Sequence, residues 1–317
     1  MLVNRNNFND SKKYNYSIAI GNFDGIHKGH KYLLNNLKKL KKSKTDRIGV
    51  LSFTPHPVKL IAPDRWKKNL VRFRTKYEQL KNIGIDVLFL ITFTNKFSKI
   101  SAEEFINEYL IKKINVKNII VGKDFRFGCN RKGNIELLKK YKKSFNLITV
   151  NKKEDLNNII YSSSSIRDLI RNGNIREANE VLGYNWEVQG KVVKGKSLGR
   201  LLGFPTANIK YLYQIAPQKG IYACWVKIEG EKCWRMSAVS TGVRPHYNGT
   251  EEILEVYVFN YSGNLYQKRI TVSFVRKIRG EEKFNNELDL INQMKKDCIN
   301  IKDILEKNEI NYKNESK

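Results

Sequence analysis

Two of the chain's four histidines, His27 and His30, stand three residues apart in Gly21-Asn22-Phe23-Asp24-Gly25-Ile26-His27-Lys28-Gly29-His30. An apolar stretch from Tyr16 to Ile20 leads into this run, and a helical pattern follows it directly. A strand, turn and helix of that kind make an anion site. Glycines let the backbone approach a phosphate, and the helix N-terminus offers unpaired N–H groups and the positive end of its dipole. A lone histidine carries little information, but this pair, set between glycines, can face one phosphate from the first turn of the helix. Ser162-Ser163-Ser164-Ser165-Ile166-Arg167 is a second candidate, because its hydroxyls and N–H groups open a helix whose first turn holds an arginine suited to phosphate oxygens. A third stretch runs from Lys194 through Gly195, Gly199 and Gly203 to Pro205, Thr206 and Asn208, a glycine-rich basic loop with no Walker A or protein-kinase signature. Plain surface turns share that composition. Glu255, in Leu254-Glu255-Val256-Tyr257-Val258, reads on its own as an outward-facing strand residue.

The elements that must hold these residues fall into two groups. Up to Gly183, apolar strands alternate with amphipathic helices, the pattern of a parallel sheet flanked by helices. The spacing predicts strands from Tyr16 to Gly21, Ile48 to Phe53, Asp86 to Thr92, Asn118 to Gly122 and Asn146 to Val150. It predicts helices from Gly29 to Lys42, Arg72 to Ile83, Ser101 to Ile114, Asn134 to Ser144, Ser165 to Asn172 and Ile175 to Leu182. Ser101 with Glu104 three residues on makes a capping box. After Tyr184 come closely spaced strands, from Glu187 to Lys194, Gly220 to Glu229, Lys232 to Ser240, Ile253 to Asn260 and Leu265 to Val275. A tight hairpin at Glu229-Gly230-Glu231 and this spacing suggest a small antiparallel barrel. A last helix carries Phe284, Leu288, Ile291, Met294, Cys298, Ile301 and Leu305 at a spacing that reads as core packing, and the chain looks frayed from Asn308.

At 317 residues and 41% hydrophobic content, the chain has room for two domains with ordinary cores. Cys129, Cys224, Cys233 and Cys298 form no Cys-x-x-Cys pair, which argues against a zinc site or disulfide framework and for a reducing compartment. Met1 to Lys13 lacks the apolar core of a signal peptide, and no run approaches the length of a membrane span, so the expectation is a soluble cytoplasmic protein. A formal charge of +28 invites a nucleic-acid reading. The lysines, however, are spread along the whole chain, and their densest runs fall on the solvated faces of amphipathic helices. The expectation is therefore no nucleic-acid and no membrane partner, with the excess charge drawing in anionic nucleotides.

In these motifs the chain resembles the bacterial bifunctional riboflavin kinase and FAD synthetase family. The likeness covers Gly21 to His30, Phe53 to Pro57, Phe97 to Phe105, Val121 to Gly133 and Tyr161 to Gly183. It continues through Lys194 to Asn208, Ser240 to Tyr247, Leu254 to Val258 and Phe274 to Phe284. The resemblance implies an α/β Rossmann-like nucleotidyltransferase domain, residues 1–183, which adenylylates FMN with ATP to give FAD and pyrophosphate. It implies a following small antiparallel β-barrel domain with a C-terminal helix, residues 184–317, which phosphorylates riboflavin to FMN. By the same resemblance His27, His30, Ser163, Ser164 and Arg167 hold the ATP triphosphate, and Gly21, Phe23, Asp24 and Gly25 belong to that nucleotide-binding stretch. Asp124 would lie near nucleotide and flavin, and Phe53, Pro55, His56 and Pro57 would line the site. In the second domain Thr206 and Asn208 would bind Mg2+ and ATP phosphates. The Gly195 to Gly203 loop, with Gly199 and then Pro205, would cover the nucleotide. Arg244 and Tyr247 fall in a matching loop, and Glu255 matches the catalytic base. The chain departs from the pattern at Ser165, where relatives often carry a basic residue, at His246 for threonine, Tyr247 for phenylalanine and Asn260 for aspartate.

The chemistry agrees with the residue types. The phosphate of FMN has a second pKa of about 6, so it is an anionic nucleophile already and needs no base. The first site must supply position and positive charge around the attacked phosphorus, with Mg2+ helping pyrophosphate leave. The ribityl alcohol of riboflavin, by contrast, benefits from a carboxylate that takes its proton. Two other readings are a single-activity nucleotidyltransferase with a binding barrel and a basic RNA-binding protein. A passive barrel would not need Gly-Phe-Pro-Thr-Ala-Asn together with Glu255, and no aromatic single-strand motif is present. The sequence leaves the oligomeric state open.

Overall fold

A computed structural model describes residues 1–8, 14–151, 161–195, 198–211, 213–246 and 249–307, with only the backbone at 198, 243–246 and 249–251. The chain divides into two compact units, Met1–Lys67 with Phe73–Ser162, and Lys68–Arg72 with Ser163–Lys317.

In the first unit β1 (Leu2–Arg5) and β2 (Asn15–Ile20) precede α1 (Lys28–Lys38), β3 (Asp46–Thr54), α2 (Pro57–Ile61), α3 (Phe73–Ile83) and β4 (Val87–Thr92). Then follow α4 (Asn95–Ser98), α5 (Ala102–Glu104), β5 (Val116–Gly122), α6 (Ile135–Lys139) and β6 (Asn146–Val150). The six strands form one parallel sheet in the order β1-β4-β3-β2-β5-β6. Runs such as Val87-Leu88-Phe89-Leu90-Ile91 are apolar throughout because the sheet is covered on both faces. Ile18, Ile20, Leu51 and Phe89 pack with Phe105, Ile106 and Leu110, while Ala19, Val50 and Leu88 pack with Leu34, Leu37 and Leu80. From β2 the chain builds towards β3 on one side and later towards β5 on the other. The carboxyl ends of these three strands therefore border the switch point at which open α/β sheets bind ligands.

Some local expectations shift. Leu2–Arg5 is a strand that the polar N-terminus did not suggest, an edge strand with Leu2 55% exposed and paired to β4. The helix expected from Ser101 begins as its capping box requires, with Ser101 Oγ accepting from the Glu104 amide at 2.9 Å, but widens into a π-helix over Phe105–Lys113. The helix expected from Asn134 to Ser144 is capped by the Asn134 side chain and stops at Lys139.

The second unit opens with α7 (Ser163–Arg171) and α8 (Ile175–Leu182), followed by β7 (Glu187–Lys191), α9 (Leu198–Leu201), β8 (Ala207–Lys210) and β9 (Gly220–Ile228). It ends with β10 (Trp234–His246), β11 (Gly249–Val258), β12 (Arg269–Arg279) and α10 (Glu287–Lys307). The strands form an antiparallel sheet in the order β7-β12-β9-β10-β11-β8. Just beyond β7, the Val193 amide donates to Asn208 O of β8 at 2.9 Å, which brings the two edges together into a nearly closed barrel. Val188, Tyr222, Cys224, Leu254, Val256, Val272 and Phe274 are fully buried on its inner face. Outside, Ile301 and Leu305 of α10 pack on Ala223, Trp225 and Phe259. The apolar stripe expected along this helix packs mainly towards its C-terminal end, since Leu288 is 66% exposed while Ile301 and Leu305 are fully buried. The stretch Lys68–Arg72 is stitched in by Trp186 Nε1 and Gln214 Nε2, which both donate to Leu70 O at 2.8 and 3.3 Å. The strand β8 was not expected, because its Asn and Lys residues mask a period that only pairing with β11 reveals. The expectations for Tyr247 and for the chain from Asn308 lie outside the described residues. Among the described residues no helix is long and apolar enough to cross a membrane.

Arg279, at the end of β12, ties α10 to the barrel through Asp297, with Nη2 to Oδ2 at 2.8 Å and Nε to the same oxygen at 3.0 Å. Asp297 also accepts from Gln293 Nε2 at 2.9 Å. Asp297→Ala would leave the Arg279 guanidinium, 15% exposed, with the longer ion pair to the exposed Glu282 at 3.7 Å. Losing one partner of a buried pair costs about 3–5 kcal/mol and Glu282 offsets part of that here, so the urea midpoint of the tryptophan-fluorescence transition is expected to fall.

Candidate active sites

The first site grows from the carboxyl end of β2. The Gly21 amide still donates to Leu51 O at 3.1 Å, and the chain then turns through Phe23, Gly25 and Ile26 at φ of 47°, 86° and 36°. A residue other than glycine in that region costs roughly 1–2 kcal/mol, so the turn needs ties from outside. Two of them reach the Asn22 carbonyl: Ser52 Oγ from β3 at 3.2 Å and Lys76 Nζ from α3 at 2.5 Å.

The turn delivers His27 to the N-cap of α1, where its Nδ1 accepts from the His30 amide at 3.3 Å. Because Nδ1 accepts, the proton of neutral His27 sits on Nε2, the atom able to donate to a phosphate oxygen. The two imidazoles stack with centroids 3.7 Å apart, and Phe23 flanks His30 at 5.1 Å. His30 Nδ1 is buried without a hydrogen-bond partner. Burial lowers the pKa of His27 to about 4. Burial, then His27, then Lys76 hold His30 well below the ordinary imidazole value. Both rings are therefore neutral donors at pH 7. Burial also lowers the Lys76 amine, an effect that the buried Asp24 opposes.

The neighbouring strands supply the rest. Phe53, on β3, packs edge-on to Phe93 at 5.9 Å and against Phe97 at 6.0 Å. Pro55 is exposed, His56 caps α2 by accepting from the Val58 amide at 3.2 Å, and Pro57 is the first residue of that helix. Asp124 is exposed just past β5, with Oδ1 folded back over Gly122. The residues Gly21 to His30, Phe53 to Pro57 and Asp124 thus all belong to the carboxyl ends of three adjacent strands. Ser163, Ser164 and Arg167 open α7 in the second unit. Arg167 is buried there, donating through Nη1 to Ser163 O at 2.8 Å and through Nε to Lys68 O at 3.0 Å.

In the second unit Asn208 and Glu255 are direct cross-strand partners on β8 and β11, and Ser240 of β10 lies opposite Glu255 on its other side. Thr206 lies two residues before Asn208, just ahead of β8. Leu254 and Val256 point into the core, so Glu255 faces outward. Asn208 is buried and Glu255 half-buried. A Cβ on Gly195 would fall 2.2 Å from Asn208 Nδ2, and one on Gly199 would fall 2.4 Å from Phe204 O. Glycine at both positions lets the loop close over Asn208 and over the segment that leads to Thr206. Gly203 follows α9 at φ 83°, and Phe204 stands edge-on to Tyr257 at 5.4 Å, with Pro205 exposed between Phe204 and Thr206. Arg244 lies on β10, in a stretch described by its backbone alone.

Sequence models for FAD synthetase and for riboflavin kinase match residues 9–165 and 182–305. The bifunctional riboflavin kinase/FMN adenylyltransferase of Buchnera aphidicola subsp. Schizaphis graminum is 36% identical over 292 residues, 91% of this chain and 93% of its own length. The chain belongs to this bifunctional family. The protein of the same description from Escherichia coli is 35% identical over 281 residues, 88% of this chain and 90% of its own. A solved structure from Streptococcus pneumoniae, described as a macrolide-efflux protein, has a TM-score of 0.82 and 30% identity over 94% of this chain and 97% of its own. Within the family's two halves, the histidine pair falls in the FAD synthetase match, and the Asn208–Glu255 pair falls in the riboflavin kinase match.

Lys76 and Ser52 carried no signal in the sequence. One is a lysine among many on an amphipathic helix, and the other a serine inside an apolar strand.

The lowered pKa of His27 gives stability a definite pH dependence. The unfolded histidine titrates near 6.5 and the folded one near 4, so between those values the unfolded chain binds the extra proton, and stability falls as pH drops. Calorimetry of the ligand-free protein from pH 7.5 to 4.5 is expected to show a falling Tm for the FAD synthetase unit, with a shallower slope in His27→Gln.

Proposed function

We propose that the stacked histidines of the first unit bind the phosphates of ATP during adenylyl transfer to FMN, and that Glu255 is the base for phosphorylation of riboflavin. The chain is both a riboflavin kinase and an FMN adenylyltransferase, and its substrates are ATP, riboflavin and FMN.

The observation that carries the first assignment is the neutral pair at the α1 N-terminus, at the switch point of the sheet. An FMN phosphate oxygen attacks the α-phosphorus of ATP, the bond to pyrophosphate breaks, and negative charge grows on the departing oxygens. The His27 Nε2–H, the His30 ring and the first-turn amides of α1 are placed to receive that charge as donors. Ser163, Ser164 and Arg167 are assigned to further phosphate oxygens. Phe53, Pro55, His56, Pro57 and Asp124 are assigned to the walls around nucleotide and flavin.

The kinase assignment rests on the direct pairing of Asn208 with Glu255. The Glu255 carboxylate takes the proton of the terminal ribityl hydroxyl as its oxygen attacks the γ-phosphorus, and ADP leaves. Thr206 and Asn208 offer neutral oxygens beside that carboxylate, and no cluster of three or more His, Cys, Asp or Glu ligands exists among the described residues. So sparse a hard-oxygen set fits Mg2+, which keeps waters and substrate phosphates among its ligands, better than a cation held in a protein cage. Bound by Thr206 and Asn208, Mg2+ would neutralise charge on the ATP phosphates. Gly195, Gly199, Gly203 and Pro205 are assigned to the loop over the nucleotide, and Arg244 and Tyr247 to the same binding set. We assign residues 1–183 to the adenylyltransferase and 184–317 to the kinase; the family matches stop at 165 and resume at 182, and α7 and α8 between them belong by packing to the second compact unit. Four free cysteines support a cytoplasmic location.

Chromatographic separation of flavins over time, with riboflavin or FMN supplied with Mg2+ and ATP, tests both assignments. Glu255→Gln is expected to slow FMN formation by about 10²–10⁴-fold while FAD formation from supplied FMN survives. Retained kinase turnover would rule out Glu255 as the base. His30→Ala is expected to abolish FAD formation and spare FMN formation, and equal loss of both would overturn the assignment of the histidines.

A further inference from the structure

We propose that Lys76 is a positioning residue for adenylyl transfer, its amine holding the Asn22 carbonyl so that the Gly21 to His30 turn keeps the two histidines stacked where phosphate binds. The proposal rests on the adenylyltransferase reading of that turn. Lys76 lies on α3, outside the histidine motif, and its amine donates to Asn22 O at 2.5 Å and to Ser52 Oγ at 3.4 Å. Ser52, fully buried on β3, donates to the same carbonyl at 3.2 Å. The turn is thus pinned from two elements of the core at the residue just before its first positive φ, at Phe23.

The charged and titratable groups acting with this amine are Asp24 from the turn and His30 from α1, and His30 is in turn stacked on His27. Asp24 favours the charged form of the amine, and that charge disfavours a proton on His30. The amine therefore acts twice, mechanically on the backbone of the turn and electrostatically on the protonation of the ring. A lysine that merely supported the fold would act only in the first way.

The experiment uses the full-length protein with Lys76→Met and Lys76→Gln, and with His30→Ala as the control for the site. Steady-state FAD formation gives kcat and KM, an NMR titration follows the His30 ring, whose signal is identified by its loss in His30→Ala, and riboflavin phosphorylation reports on the other unit. Lys76→Met is expected to lower kcat for FAD formation about 10- to 100-fold, as misplacement of reacting groups does. The expected accompaniments are a KM for FMN that changes little, a His30 titration moved to higher pH and unchanged kinase activity. Lys76→Gln keeps a donor for Asn22 O, which guards against misfolding, and is expected to lose less rate while showing the same upward shift of His30. Full adenylyltransferase activity in both variants would overturn the proposal. So would lost activity with an unmoved His30 titration, which would leave Lys76 a purely structural role. If His30→Ala itself kept FAD formation, the reading of the site would fail, an outcome distinct from failure of Lys76 alone.

Discussion

The carbonyl of Asn22 is the point at which the first active site is fastened to its sheet. Beyond it the backbone adopts three left-handed conformations, two of them at Phe23 and Ile26, where a side chain makes them costly. Such a turn persists only if its surroundings over-determine it. The surroundings here are β3, set by parallel pairing to β2 and β4, and α3, set by Leu80 in the core cluster that also holds Leu34 and Leu37 of α1. One apolar layer therefore orients the helix that carries the histidines and the helix that ties down the turn before them. Geometry at the phosphate site follows from packing several residues away.

The second unit reaches the same end by register. Glu255 faces outward because Leu254 and Val256 on either side of it are fully buried, and a slip of one residue would send them to the surface. The pairing that opposes Asn208 to Glu255 thereby follows from hydrophobic burial. Glycines at 195 and 199 then let the basic loop close where a methyl group could not fit. Turn and cap position the proposed donors of the first site, while strand register positions the proposed base of the second.

The legible parts of the sequence were those written in local periodicity. β2, β4, β5 and β6 are apolar runs between breakers, and the histidine motif sits at a strand-to-helix junction that its glycines announce. β1 and β8 were missed because each is four residues long and exists through its partner. Glu255 could be singled out only by family resemblance, since the neighbour that gives it meaning, Asn208, is remote in the chain. Lys76 was invisible for a compositional reason. With 59 lysines and arginines, a buried amine looks like any other until the rotation of α3 is known.

The two chemistries also divide the labour of charge. Riboflavin reaches the kinase without a phosphate, and the base proposed for its hydroxyl is the single carboxylate of Glu255. Phosphorylation then converts it into an anion, which is both the nucleophile for the next step and a species attracted by a chain of net charge +28. The adenylyltransferase must bind two polyanions at once, and in the proposed site the imidazoles that meet them are kept neutral by burial, His30 also by His27 and by the Lys76 amine. Preorganised N–H groups favour the arrangement in which charge moves onto the departing pyrophosphate. In the proposed site the excess lysine would concentrate substrate, while the stacked histidines would select the step.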